Sequence, residues 1–117
     1  MVSVIVPVYN AKETLGECLS AIGNQVLNGI PLEVIVVDDG SSDGTAAVAT
    51  RFTGVILVRQ PNRGPAAARN AGARKASGDI LLFTDADCVP AGNWITEMVG
   101  PFSDRSEERR VGKEYRL

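Results

Sequence analysis

Four short runs of β-branched and aliphatic residues, VSVIVPV at 2–8, LEVIVVDD at 32–39, GVILVRQ at 54–60 and DILLFTDAD at 79–87, set the terms on which this chain can fold. Each is apolar almost without interruption, which suits strands covered on both faces rather than an antiparallel sheet with one wet side. The stretches between them read as helices. Asn10 and Glu13 form a capping box ahead of Leu15, Cys18, Leu19, Ile22 and Val26 at helical spacing. Asp43 or a neighbouring serine caps a segment carrying Ala46, Ala47, Val48, Ala49 and Phe52. Pro65 opens an alanine-rich stretch that stops at Ser77 and Gly78, and Trp94, Ile95, Met98 and Val99 predict one more short helix after the fourth run. Strand and helix alternate, so the expected fold class is α/β, an open, mostly parallel sheet with right-handed crossovers and helices on both faces.

The length of 117 residues bounds this to one domain, expected to span residues 1–104 and to be incomplete. The last thirteen residues, RSEERRVGKEYRL, carry five of the twelve basic side chains and no apolar stripe. They read as a solvated, non-native tail over 105–117, similar to translated adapter DNA. No apolar run approaches the roughly 18 residues of a membrane span, and the amino terminus does not have the pattern of a secretion signal, so a cytoplasmic setting is expected. A net charge of -2 argues against a nucleic-acid partner. The absence of histidine excludes Ser-His-Asp and Cys-His catalysis and His-rich zinc sites, while Cys18 and Cys88 match no disulfide framework or metal-ligand spacing.

In open α/β sheets ligands bind outside the carboxyl ends of the strands. Those ends read Pro7-Val8-Tyr9-Asn10, Asp38-Asp39-Gly40-Ser41, Gln60-Pro61-Asn62-Arg63-Gly64 and Asp85-Ala86-Asp87, whereas the amino ends offer only Ser3, Glu33 and Asp79. Carboxylates, amides and arginine thus gather on one rim, as a phosphate-bearing ligand requires. Asp85 and Asp87 sit two apart, on one side of an extended segment and roughly 7 Å from each other. Their mutual repulsion is relieved by a hard divalent cation that bridges to phosphate. Asp38 and Asp39 are adjacent and point to opposite sides, so one faces the cleft. Arg63 precedes a helix amino terminus, where a cation calls for a nearby anion, and Asn62, Arg63 and Gly64 read as a phosphate or base contact. Arg69 is within reach of the same rim, while Arg74 and Lys75 are ordinary helix-end cations. Tyr9 and Trp94 could stack on a base or sugar, with core packing the commoner use of each. Neither a Gly-x-Gly-x-x-Gly loop after the first strand nor a Gly-x-x-x-x-Gly-Lys is present.

Together, PVYN at 7–10, VVDDGSSDGT at 36–45, NRGPAAARNAGARKASGD at 62–79 and LLFTDADCVP at 81–90 resemble family 2 glycosyltransferases with the GT-A fold, over about residues 2–104. The resemblance implies a Rossmann-like half that binds a nucleoside-diphosphate sugar, UDP-linked before GDP-linked, with Mn2+ or Mg2+ as cofactor. It implies that Pro7, Val8, Tyr9 and Asn10 belong to the donor site and that Asp39 bonds the base. Arg63 or Arg69 would meet base or phosphate, Asp85 with Ala86 would approach the ribose, and Asp87 with Asp85 would hold the metal. The reaction implied is transfer with inversion to an acceptor hydroxyl of a glycan, lipid or protein. The family often has an acidic residue where Ala11 stands, and its catalytic base lies well downstream of the Asp-x-Asp. The chain is therefore expected to be a fragment that binds donor without transferring sugar, and to self-associate through the sheet edge at LLFT. The rival functions are a non-catalytic nucleotide-binding module, a haloacid-dehalogenase-type phosphatase using Asp85 and Asp87, and a sugar nucleotidyltransferase.

Overall fold

The computed structural model describes residues 1–103, so the 105–117 tail lies outside the described residues. The elements are β1 (Val2–Val8), α1 (Leu15–Gly23), β2 (Leu32–Asp38), α2 (Thr45–Thr50), β3 (Ile56–Arg59), α3 (Pro65–Lys75), β4 (Ile80–Phe83) and α4 (Trp94–Ser103). The four strands form one sheet in the order β3-β2-β1-β4, with every neighbouring pair parallel. The continuous apolar runs have their cause in this arrangement. Val2, Val4, Val6 and Val8 of β1 pack with Leu15, Cys18, Leu19 and Ile22 of α1, Val48 of α2, and Ile95 and Val99 of α4. Ile5 packs on the other face with Ile35 and Val37 of β2, Phe83 of β4 and Ala68 of α3.

The α3 helix carries almost no large apolar side chain. It lies close against the sheet because its buried positions are Ala68 and Gly72. A Cβ on Gly72 would stand 2.4 Å from Ile5 Cγ2 and 3.1 Å from Val37 Cγ2. The polar residues at the amino ends of the strands are structural. Ser3 donates to Glu33 at 2.7 Å, Gly78 N–H donates to Ser3 Oγ at 2.9 Å, and Ser77 N–H donates to Glu33 at 2.9 Å. These bonds fix the turn from α3 into β4.

Two helix expectations need correction. The Asn10 and Glu13 capping box does not form, since α1 starts at Leu15 after Thr14, which makes no side-chain cap bond. Asn10 is in the left-handed region at φ 48° and its side chain bonds elsewhere. Val26 does not extend the buried face of α1 either. The helix ends at Gly23, Val26 is 53% exposed, and the chain turns so that Gln25 takes the inward position. Gln25 Nε2 donates to Ala91 C=O at 2.5 Å and Ala21 C=O at 3.3 Å, while Ile95 N–H donates to Gln25 Oε1 at 2.9 Å. One buried amide therefore ties the end of α1 to the first turn of α4. Gln25→Leu keeps the volume but strands Ile95 N–H and Ala91 C=O, and should cost about 2 kcal/mol. Urea unfolding measures this, and an unchanged midpoint would show that water replaces the amide.

Candidate functional site

The chain runs from β1 to β2 to β3 in one direction across the sheet and then crosses back to place β4 on the other side of β1. The order reverses between β1 and β4, and a crevice opens beyond their carboxyl ends. There a cleft of about 350 Å³ is lined by Pro7, Val8 and Tyr9 at the end of β1, Asp39 after β2, Asn62, Gly64, Pro65, Ala68 and Arg69 around the start of α3, and Asp85 after β4. That volume is at the small end of ligand pockets. Of the residues singled out in the sequence, Pro7, Val8, Tyr9, Asp39, Asn62, Gly64, Arg69 and Asp85 meet here. Asn10, Arg63, Ala86 and Asp87 are not in the lining. Tyr9 is 54% exposed rather than packed in the core, so its ring is available to a ligand, whereas Trp94 packs against the core as a structural residue.

Asn10 works on the scaffold beside the cleft. Its N–H donates to Ser41 Oγ at 2.8 Å and its Oδ1 accepts from Ser42 N–H at 2.9 Å. Ala11 N–H donates to Thr45 Oγ1 at 3.0 Å and Lys12 N–H to Asp43 Oδ2 at 3.2 Å. The loop after β1 is thus stitched to the loop after β2. Asp43 also accepts from the N–H and the hydroxyl of Thr45 at the start of α2. Those bonds, the Thr45 ones foremost, hold its carboxyl below the usual range.

Asp38 and Asp39 part ways as alternation requires. Asp38 is buried outside the cleft lining, where Oδ1 accepts from Ser41 N–H at 3.0 Å. Its Oδ2 makes no hydrogen bond, and Arg59 Nε stands 3.5 Å away as an ion-pair partner. Asp39, 4% exposed, takes a saturated set of bonds. Oδ1 accepts from Gln60 Nε2 and Arg63 N–H, both at 2.8 Å, and Oδ2 accepts from Gly64 N–H at 2.9 Å and Asn62 Nδ2 at 3.2 Å. A carboxylate has about four acceptor positions, and all are filled. Burial works to raise the Asp39 pKa, but the hydrogen bonds from Gln60, Arg63 N–H and Gly64 N–H outweigh it and hold the carboxyl below its ordinary value. Gly40 permits this fold-back, since at φ 81° its missing Cβ would lie 2.7 Å from Asn62 N.

Two sequence readings change as a result. The anion that a cation at Arg63 called for is the chain's own Asp39, set against the N–H groups just ahead of α3. Arg63 meets it through its backbone N–H and the attraction of its charge, while its side chain is exposed and outside the cleft. A base donor approaching Asp39 would also have to displace one of the side-chain amides. Gln60, which the sequence reading passed over, is one of them.

The carboxylates after β4 come together by a different geometry from the extended one expected. The strand stops at Phe83, and Cys88 N–H donates to Asp85 C=O at 3.1 Å, closing a turn over residues 85–88. The turn brings a carboxylate oxygen of Asp85, one of Asp87 and Cys88 Sγ within 4.8 Å of one another, all on exposed residues. Ala86 is the buried foot of the turn. Cys18 lies beneath, its S–H pointing at Asp85 C=O at 3.6 Å. Burial first, then the electrostatic influence of the neighbouring Cys88, Asp87 and Asp85, pushes the Cys18 thiol up to about 12, so it stays protonated and inert. As a donor set, two exposed carboxylates at this spacing fit a hard divalent cation, with positions left for phosphate oxygens and water. The proximity of Cys88 was invisible in linear spacing because the turn creates it.

Known proteins share this sequence pattern and fold. Residues 3–107 match the model of glycosyl transferase family 2. The glycosyltransferase AglE of Haloferax volcanii is 42% identical over 107 residues, covering 87% of this chain and 35% of that protein. The crystal structure of S. aureus TarS in complex with UDP superposes with a TM-score of 0.82 at 26% identity, covering 90% of this chain and 32% of that one. The mannosyltransferase PcManGT of Pyrobaculum calidifontis, in complex with GDP-Man and Mn2+, gives 0.79 at 36% identity, covering 89% and 32%. The chain thus spans about a third of the length of these proteins. The parallel sheet, its crossover at β1 and β4, and a match over residues 3–107 place the chain in glycosyl transferase family 2, with the GT-A type of α/β fold.

Proposed function

We propose that this chain forms the donor site of an inverting glycosyltransferase, binding a nucleoside-diphosphate sugar with the help of Mn2+ or Mg2+. The observation that carries the proposal is the convergence of Tyr9, Asp39, Arg69 and Asp85 on one cleft at the switch point of the sheet. Tyr9 offers an exposed ring to the base, and Pro7 and Val8 form an apolar floor. Asp39 fixes the loop 62–64, whose Asn62 and Gly64 line the cleft, and Arg69 is the cation in the lining. Asp85 reaches toward the ribose from within the cleft, and Asp87 completes the cation site at its margin. A divalent ion bound there would supply charge neutralisation at the diphosphate leaving group. Two of the structural neighbours were solved with UDP and with GDP-Man and Mn2+, which supports the ligand class and leaves the base to be read by experiment. The acceptor hydroxyl and the base that deprotonates it are proposals about a longer protein, since the chain spans about a third of its relatives. Self-association along β4, at one edge of the described sheet, is part of the same proposal.

Calorimetry of UDP and GDP with and without Mn2+ tests the donor site. UDP should bind more tightly than GDP, and Mn2+ should strengthen binding by about tenfold or more. Asp87→Ala should remove that enhancement. Equal affinity with and without metal would end the metal role. Binding without UDP release from any UDP-sugar would favour the competing reading, a nucleotide-binding module. A sedimentation coefficient independent of concentration would remove the self-association.

A further inference from the structure

We propose that Asn10 and Ser41 are positioning residues, which aim the Tyr9 ring into the cleft by fixing the backbone beside it. The proposal deepens the donor-site reading and rests on it for what the ring meets there.

Tyr9 is 54% exposed and belongs to neither core cluster, so core packing does not orient its ring. The direction of its Cα–Cβ bond is set by the two planar peptide groups that flank it. Both are tied to the chain after β2. Val8 C=O accepts from Asp39 N–H at 2.9 Å, and Asn10 N–H donates to Ser41 Oγ at 2.8 Å. Ser41 is held in turn by Asp38, buried at the end of β2, whose Oδ1 accepts from Ser41 N–H at 3.0 Å. The Asn10 backbone lies in the left-handed region at φ 48°, which asparagine tolerates better than most residues. Its Oδ1 accepts from Ser42 N–H at 2.9 Å and so holds that conformation. Neither Asn10 nor Ser41 lines the cleft, so each acts there through Tyr9 rather than on a ligand. The adjacent carboxylates thus serve two different loops. Asp38 anchors the one that carries Tyr9, by way of Ser41, and Asp39 anchors the one that carries Asn62 and Gly64.

The test is a double-mutant cycle on the full chain, read by calorimetry of UDP. In the unmodified protein Tyr9→Ala should weaken UDP binding by about tenfold, the loss expected for a stacked base. Ser41→Ala removes the bond to Asn10 N–H. Asn10→Gly together with Ser41→Ala removes both loop bonds and leaves the left-handed conformation available. That double variant should bind UDP about tenfold more weakly, and adding Tyr9→Ala to it should cost less than about twofold more, with Ser41→Ala alone lying between. A merely structural role would let the two losses multiply. A Tyr9→Ala loss as large in the double variant as in the unmodified chain, or none in either, overturns the proposal. A measurement without nucleotide separates it from the donor-site reading. With fluorotyrosine at Tyr9 and Tyr115, the Tyr9 fluorine resonance, identified by Tyr9→Phe, should move toward its position in the urea-unfolded chain when both loop bonds are removed. If it moves and UDP does not bind the unmodified chain, the positioning stands and the donor site falls. If it does not move, the loop bonds do not aim the ring, and the proposal is overturned whatever UDP does.

Discussion

Replacing Asp39 by alanine should unfold the loop at 60–64 and abolish measurable nucleotide binding while the sheet survives. The carboxylate accepts from Gln60, Asn62, Arg63 N–H and Gly64 N–H, so its removal strands donors from one short segment at once. Donors that water can reach recover most of their loss, while the two backbone N–H groups ahead of α3 recover less. The expected cost is about 2–3 kcal/mol of stability. Asn62 and Gly64 of the same loop line the cleft with Tyr9, so affinity for UDP should fall by well over the tenfold that about 1.4 kcal/mol represents. Asp39→Asn keeps the shape but turns an NH2 toward two of the donors, and should lie between the two. Acid provides an independent check. The Asp39 pKa is lowered in the folded chain, so its contribution is complete above the ordinary aspartate value of about 3.9 and is lost as pH falls through the lower folded value. The difference in urea midpoint between the unmodified chain and Asp39→Ala should therefore be flat from neutral pH down to about 5 and shrink below about 4. Glu33 and Asp43, whose pKa values are also lowered, titrate alike in both proteins and cancel. A difference that stays constant into acid would mean that the ionised carboxylate is not what holds the loop.

The strands could be read from the sequence because a strand buried on both faces leaves a continuous apolar run, and β1 is such a strand along its length. The position of the site followed from the same fact, since polar residues appear where those runs end. What could not be read was set by short turns and by contacts across loops. Val26 matched the helical period of α1, but periodicity carries no information about where a helix stops, and Gln25 took the buried place by bonding α4. The turn at Asp85 needs neither glycine nor proline, so nothing marked the end of β4 before the carboxylates. Asp39 was conspicuous as one of an adjacent acidic pair. That its partners come from the loop after β3 depends on Gly40 lying against Asn62, a contact between segments about twenty residues apart. Arg63 was read as a phosphate or base contact, and the structure sets the chain's own Asp39 carboxylate against its N–H.

Gly72→Ala sets two general effects against each other, and packing is expected to win. In a helix interior alanine is favoured over glycine by about 1 kcal/mol, so a propensity argument predicts a more stable protein. The structure predicts the reverse. Gly72 is buried in α3, and the new Cβ would lie 2.4 Å from Ile5 Cγ2 and 3.1 Å from Val37 Cγ2. Neither neighbour can yield easily. Ile5 and Val37 are wholly buried, β-branched side chains on the two central strands, and their χ1 rotamers are stiff. Relief requires α3 to lift from the sheet, which opens the contact of Ala68 with that face and moves Arg69 and the α3 end of the cleft. Overpacking of this kind costs about 1–3 kcal/mol, and here the lower part of that range is only enough to cancel the helix gain. A net loss of about 1–2 kcal/mol is expected in urea unfolding, together with weaker UDP binding even under conditions where the variant is fully folded. Gly72→Ser should behave in the same way, whereas Ala73→Ser, one position along the same helix and only half-buried, should change stability by less than about 0.5 kcal/mol. A Gly72→Ala chain as stable as the original, with unchanged affinity for UDP, would show that α3 can ride further from β1 without disturbing the cleft, and that the closeness of helix and sheet is not what positions Arg69.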